Sequence, residues 1–152
     1  VNIQGDEPFI KPNVIDKTID NFIEKKSVCS TICFKTNNEE EILSKSRGKT
    51  VVDNFNNIIY CSRNVIPSNK KENIIKNHKY NIHVGIFVYD KEYLINHFSK
   101  ENTTNQLLED IEWLKIIEQG FKINTIFSEE MERGIDTNED YIYLKNKYES
   151  IF

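Results

Sequence analysis

Two carboxylates stand where chemistry could be done. Asp6 lies in Gly5-Asp-Glu-Pro8, directly after the short stretch 1–4, and Asp136 lies in Gly134-Ile-Asp-Thr137, past an apolar run and just before a helix start. If both segments leave strands at one edge of a layered sheet, the two side chains can face the same crevice. Paired carboxylates there suit Mg²⁺, which takes oxygen ligands and commonly keeps one or two carboxylates beside phosphates. The structural alternative is simple: Asp6 as a turn residue and Asp136 as a charge at a helix N-terminus. Spacing alone favours that alternative.

Other candidates are fewer. The chain has no alanine, is rich in Ile, Asn and Lys, and holds only three arginines, Arg47, Arg63 and Arg133. A position needing only positive charge drifts to Lys in such a chain, so each Arg is worth attention. A guanidinium can grip a carboxylate through two parallel hydrogen bonds, which Lys cannot do; the alternative for Arg63 is a surface ion pair. His83 sits in the apolar run Asn81-Ile-His-Val-Gly-Ile-Phe-Val-Tyr89, where a lone His is usually a core residue bonded to backbone. Cys29, Cys33 and Cys61 have no metal-like spacing, and the first two, four apart, share one face of a strand. They read as small buried thiols, which fits a reducing cytosol.

The elements that must position these residues alternate. Residues 1–4 end a strand. Pro12 opens a helix, with Ile15, Ile19, Phe22 and Ile23 at helical spacing through about Lys25. Residues 28–35 form a strand, and 39–46 a short helix or irregular segment. Residues 49–53 and 57–61 flank an Asn-rich turn as a hairpin. A polar loop spans 68–79, and 81–89 reads as a central strand. A helix follows over 90–99 with Tyr93, Leu94 and Phe98 inward. Thr103-x-x-Gln106 caps one helix running to Gly120, which carries Glu112 and Trp113. Residues 121–127 make the last strand, and Thr137-x-x-Asp140 starts the final helix with Tyr141, Leu144 and Tyr148. This order predicts one α/β domain over 1–152: a layered sheet with an inserted hairpin.

Composition narrows the classes. With 152 residues, 29% charged and 38% hydrophobic, the chain can bury a core as one domain. A net charge of −4 offers no basic face to nucleic acid. No apolar run approaches the roughly 20 residues of a membrane span. The chain opens on Val1, inside an apolar stretch and without signal-peptide character, so residues are expected to precede it.

Five segments together resemble one family. Gln4-Gly-Asp-Glu-Pro8 is similar to the Gln-Gly-Asp-Glu-Pro loop of the 3-deoxy-manno-octulosonate cytidylyltransferases. Tyr60-Cys-Ser-Arg-Asn-Val-Ile-Pro67 resembles their Phe-Ser-Arg-x-Pro-Ile-Pro segment, and His83-Val-Gly-Ile-Phe-Val-Tyr89 their His-Ile-Gly-Ile-Tyr-x-Tyr strand. Glu109 to Gly120 resembles their Glu-x-Leu-Glu-Gln-Leu-Arg helix ending in Glu-x-Gly. Gly134-Ile-Asp-Thr-Asn-Glu-Asp140 is similar to Gly-Val-Asp-Thr-Pro-Glu-Asp. The matches are colinear and span the chain.

The resemblance implies a three-layer, Rossmann-like nucleotide-diphosphosugar-transferase fold with a mixed sheet and an inserted hairpin. It implies transfer of CMP from CTP to the anomeric hydroxyl of an acidic keto-deoxy sugar, releasing pyrophosphate, in the cytoplasm and for lipopolysaccharide or capsule. Asp6 and Asp136 become magnesium ligands, and Gln4, Arg63, His83 and Glu112 sugar contacts, with His83 a neutral donor to sugar hydroxyls. A homodimer around the hairpin is the implied assembly. The family's Arg-, Lys-, Ser- and Pro-rich nucleotide-binding segment has no counterpart here, so the isolated chain is expected to lack most of the CTP site and to be inactive. Two positions depart from the pattern: Phe87 stands where a sugar-contacting Tyr is expected, and Trp113 where a Gln is. Either both wall the sugar site or Trp113 packs in the core. The rival readings are a sugar-nucleotide-dependent glycosyltransferase, although no Asp-x-Asp pair lies near Asp6, and a non-catalytic sugar-binding remnant of the same fold.

Overall fold

Strand β5, Tyr80–Tyr89, organises the molecule. In the computed structural model, which describes residues 1–71, 73–129 and 134–149, it pairs on one side with β2 (Cys29–Thr36) along its whole length. On its other side two short strands share its edge: β3 (Lys49–Val52) opposite Asn81 and Ile82, and β1 (Asn2–Ile3) opposite Ile86 and Phe87. Outside β3 lies β4 (Ile58–Ser62), completing the hairpin, and outside β2 lies β6 (Ile123–Ser128). The order is β4-β3-β5-β2-β6, with β2 and β6 parallel and the other pairs antiparallel. The expected mixed sheet with an inserted hairpin is what forms.

Apolar residues of β5 alternate between two faces because successive strand side chains point in opposite directions. Val84 and Ile86 join Ile32 under α1, Pro12–Lys25. Phe87 joins Cys29, Cys61, Ile111 and Trp113 on the other face. The β2–β5 register slips between Thr31, opposite Phe87, and Ile32, opposite Val84. Two extra residues on β5, an even number, leave both faces in phase. Cys29 and Cys33 therefore share a face and are wholly buried, as expected.

Four expectations need correction. The buried stripe of α1 is Val14, Thr18 and Asn21, while Ile23 is 65% exposed. Asn21 pulls the helix round, since its amide donates to Ser30 Oγ at 2.6 Å and Asn124 Oδ1 at 2.7 Å. The segment after β5 is a short helix α3, Lys91–Tyr93, running into a π-turn at Leu94–Phe98. That widening turns Leu94 outward, while Tyr93 stays buried. The helix expected over 103–120 is two helices, α4 (Thr104–Glu109) and α5 (Leu114–Glu118). Asp110 adopts φ 53°, the left-handed conformation that ends helices. Glu112 and Trp113 thus lie in the break, not on a continuous helix. A short α2, Glu39–Leu43, and the final α6, Asn138–Lys147, complete the fold.

The predicted caps hold. Thr103 and Gln106 form a capping box, Gly120 has φ 82°, and Thr137 with Asp140 forms the second box. α1 covers one face of the sheet; α5 and the break before it cover the other. Among the described residues no helix is long and apolar enough to cross a membrane.

Candidate active site

The gap that β3 and β1 leave along the edge of β5 falls at residues 83–85. Backbone groups there bond to loops instead of strands: His83 N–H donates to Gly48 O at 2.9 Å, and Gln4 N–H donates to Gly85 O at 2.8 Å. Gly85 N–H reaches Glu7 Oε1 at 3.3 Å. A glycine is required, because a Cβ on Gly85 would stand 2.9 Å from Gln4 Cβ. The missing side chain lets Gln4 lie across the strand.

A cavity of about 280 Å³ opens at this gap. Gln4, Arg63, His83, Phe87, Glu112 and Trp113, all singled out in the sequence for a sugar, line it together. The helix break makes this possible: Trp113 packs against His83 and Phe87 of β5, while Glu112, itself exposed, borders the cavity. A larger depression of about 760 Å³ lies where β2 and β6 begin, but its lining, around Lys25, Asn56 and Lys122, has no carboxylate.

One wall is aromatic. The His83 ring lies 4.8 Å from Trp113 and 4.9 Å from Phe87, and Phe87 stacks on Tyr89 at 5.5 Å. Phe87 and Trp113 are 2% and 6% exposed, so they belong to the core and wall the cavity at once. The two readings of Trp113 merge. Burial holds His83 neutral, its pKa lowered to about 3. Its tautomer follows from Thr31: that hydroxyl donates to Ile86 O at 2.6 Å, so it accepts from His83 Nε2–H at 3.0 Å. The donor nitrogen is thereby committed, and Nδ1 is left as an acceptor. In this tautomer the neutral ring has no second N–H to give, so the donor role expected of it is not open to it and only acceptance through Nδ1 is.

Arg63 faces the cavity, but its fork is occupied. Nε donates to Glu109 O at 3.2 Å, Nη1 to Lys45 O and Ser46 O at 3.1 and 2.9 Å, and Nη2 to Asp110 O at 2.8 Å. The Asp110 carboxylate lies 3.6 Å from Nη2. These bonds cap the C-terminal carbonyls of α4 and tie the break to the loop before β3. The bidentate geometry expected for a sugar carboxylate is taken up by main chain here. Lys49, fully buried, braces the same loop from below through Ser44 O at 2.5 Å and Arg47 O at 2.6 Å. Burial lowers its pKa to about 8.

The segments carrying Asp6 and Asp136 meet beside the cavity. Ile135 N–H donates to Asp6 O at 2.7 Å, and a Cβ on Gly134 would stand 3.1 Å from that oxygen, so glycine permits the approach. The capping box steadies Asp136, whose N–H donates to Asp140 Oδ2 at 3.1 Å. Ser46 Oγ donates to Asp136 Oδ2 at 3.2 Å. Asp6 Oδ1 is buried and, among the described residues, has no hydrogen-bond partner. A buried anionic oxygen without a donor fits a cation. Among the described residues no three His, Cys, Asp or Glu side chains gather to hold a metal unaided, so further ligands would come with a substrate. Glu7 sits beside the pair. Burial, with repulsion from Asp6 and Asp136, outweighs its bond from Gly85 and the attraction of Arg47, and raises its pKa to about 7. Arg133 lies outside the described residues.

Sequence reasoning missed Thr31, Glu7, Lys49 and Glu109, whose roles arise only from tertiary contact. Gly85 was legible, since a glycine inside an apolar strand signals a close approach.

A mixed sheet flanked by helices, with a polar-aromatic cavity at the β5 edge and a carboxylate tied to its lining through Ser46, is the class of α/β fold in which the comparisons fall. Residues 1–137 match the family model described as cytidylyltransferase. A 3-deoxy-manno-octulosonate cytidylyltransferase of Protochlamydia amoebophila is 37% identical over 92% of this chain and 54% of its own length. The enzymes of that name from Zea mays and Fusobacterium nucleatum are 34% and 35% identical over 92% of this chain, and 47% and 56% of theirs. The chain spans about half the length of these relatives. A solved CMP:2-keto-3-deoxy-manno-octonic acid synthetase complexed with CTP superposes with TM-score 0.85 over 99% of this chain and 61% of that one, at 24% identity, and so shares the fold. The chain belongs to the cytidylyltransferase family, in its 3-deoxy-manno-octulosonate branch.

Proposed function

We propose that this chain supplies the sugar pocket and the metal carboxylates of an enzyme that transfers CMP from CTP to an acidic keto-deoxy sugar, 3-deoxy-manno-octulosonate or a relative. The observation that carries this reading is the convergence of Gln4, His83 and Glu112 on one cavity, with Asp136 tied to its lining through Ser46 and Asp6 tied to Ile135 beside it. In the reaction the anomeric hydroxyl attacks the α-phosphorus of CTP, the new O–P bond forms, and the bond to pyrophosphate breaks. Gln4, His83 Nδ1 and Glu112 orient the sugar through its hydroxyls. Phe87 and Trp113 exclude water from one side. Arg63 contributes by holding the cavity's borders. Asp6 and Asp136 would hold a divalent cation, Mg²⁺ by the hardness of the donor set, and such an ion would screen phosphate charge.

Products destined for lipopolysaccharide or capsule, and a cytoplasmic setting, complete the reading; the three free buried thiols support a reducing compartment. Pairing of two copies is assigned to the hairpin, whose edge strand β4 leaves Ile59 55% exposed. The test is pyrophosphate release from CTP by the full-length protein with each of several ulosonic acids. Release that depends on sugar and yields the CMP-sugar is expected; release of CMP or sugar transfer from a nucleotide sugar would favour the glycosyltransferase reading.

A further inference from the structure

Opposite charges with unmet demands lie together at the rim. Arg47 Nε is 3.9 Å from Asp136 Oδ2, and the arginine side chain is only 12% exposed. Its Nη2 is buried and, among the described residues, has no acceptor, just as buried Asp6 Oδ1 has no donor. Arg47 also acts on Glu7, which Asp6 and Asp136 crowd from the other side. Two carboxylates, Asp136 and Glu7, thus share one enclosed guanidinium, and Asp6 crowds Glu7 beside them. The loop carrying it is held by Lys49 and Arg63, so its charge has little freedom to leave.

We propose that Arg47 is the resident counter-charge of the acidic rim: it stabilises Asp136 when no metal is bound and opposes the cation that Asp6 and Asp136 take. The inference rests on the metal reading given above. A fixed positive charge 3.9 Å from a would-be ligand carboxylate, partly shielded from water, would lower that carboxylate's affinity for a divalent ion. The same charge relieves repulsion among the carboxylates when the ion is absent. Arg47 is therefore a positioning residue that sets metal affinity, and its unsatisfied Nη2 makes its place easier for an incoming cation to perturb.

The experiment titrates Mn²⁺ alone into the full-length protein and its Arg47→Gln and Arg47→Lys variants, reading free Mn²⁺ by electron paramagnetic resonance. Arg47→Gln is expected to bind Mn²⁺ about three- to tenfold more tightly, and Arg47→Lys to stay near wild type. Equal or weaker binding by Arg47→Gln would overturn the proposal. A second arm measures thermal unfolding in EDTA. Arg47→Gln should lower Tm, and Asp136→Asn should remove most of that difference; strictly additive effects would overturn the counter-charge role even if metal binding changed. If the wild type takes up no Mn²⁺ alone, the titration is repeated with CTP present; absence of binding there too would reject the metal reading itself, and the EDTA arm would then decide Arg47 alone.

Discussion

Arg63 donates four hydrogen bonds to main-chain carbonyls of two loops, so its weight in this site is carried through geometry. Arg63→Lys keeps the charge but loses the planar fork. We expect a stability loss of about 2–4 kcal/mol in denaturant unfolding, as several bonds to partly buried carbonyls are broken. Sugar affinity should weaken with little change in CTP affinity; equal weakening of both substrates would indicate a phosphate role. Phe87 invites the reverse change. Phe87→Tyr adds a hydroxyl beside His83 and should raise kcat/KM for 3-deoxy-manno-octulosonate relative to an analogue by up to about tenfold, one hydrogen bond's worth. Trp113→Gln, by contrast, removes a ring that is 6% exposed and should cost about 3–5 kcal/mol, the cavity cost of a buried aromatic. Residue types were legible in the sequence where a motif named them. The partners that fix their chemistry were not: the His83 tautomer depends on Thr31, from a strand 52 positions away.

Among the elements, β5 does the positioning, through a two-residue slip against β2 and a shared edge on its other side. Gly85 sits in that slip, under Gln4. Gly85→Ala should displace Gln4 and cut sugar affinity about tenfold, with an overpacking cost of about 1–3 kcal/mol. Calorimetric titration with the sugar, beside a Tm, checks this; unchanged sugar affinity would mean that Gln4 is not a contact. Capping boxes and helix starts were readable because they are local hydrogen-bonding patterns. The split between α4 and α5 was not, because apolar spacing continues across it. α4 ends where Asp110 turns left-handed and Arg63 takes the carbonyls of Glu109 and Asp110, while Glu118 of α5 returns to cap the start of α4, accepting from Asn105 N–H at 2.9 Å. That fold-back brings Glu112 and Trp113 to the cavity.

At the scale of the whole molecule, alternating strands and helices disclosed the layered sheet, and the hairpin disclosed its extension. Strand directions and order were beyond periodicity, since an apolar run reads alike in parallel and antiparallel neighbours. Acid stability is a property of this whole. His83 is neutral when folded, with its pKa near 3, against 6.5 when unfolded. Between those values the unfolded chain binds a proton that the native one refuses, so stability is fully present above about pH 6.5 and falls as pH drops toward 3. Urea unfolding across pH 7 to 4 should show a shallower decline for His83→Gln than for wild type; parallel curves would mean that His83 is solvated or charged.

We propose that one cavity and one carboxylate pair, built by residues scattered from Gln4 to Asp136, serve a single CMP-transfer site. It is tested most directly by pyrophosphate release from CTP and 3-deoxy-manno-octulosonate in the full-length protein, comparing wild type with Asp6→Asn and Asp136→Asn across a magnesium titration. Each variant should keep the wild-type fold by circular dichroism and lose turnover by about a hundredfold or more at limiting magnesium, because each removes a ligand charge from the cation. Near-wild-type turnover by either variant at limiting magnesium would contradict the claim.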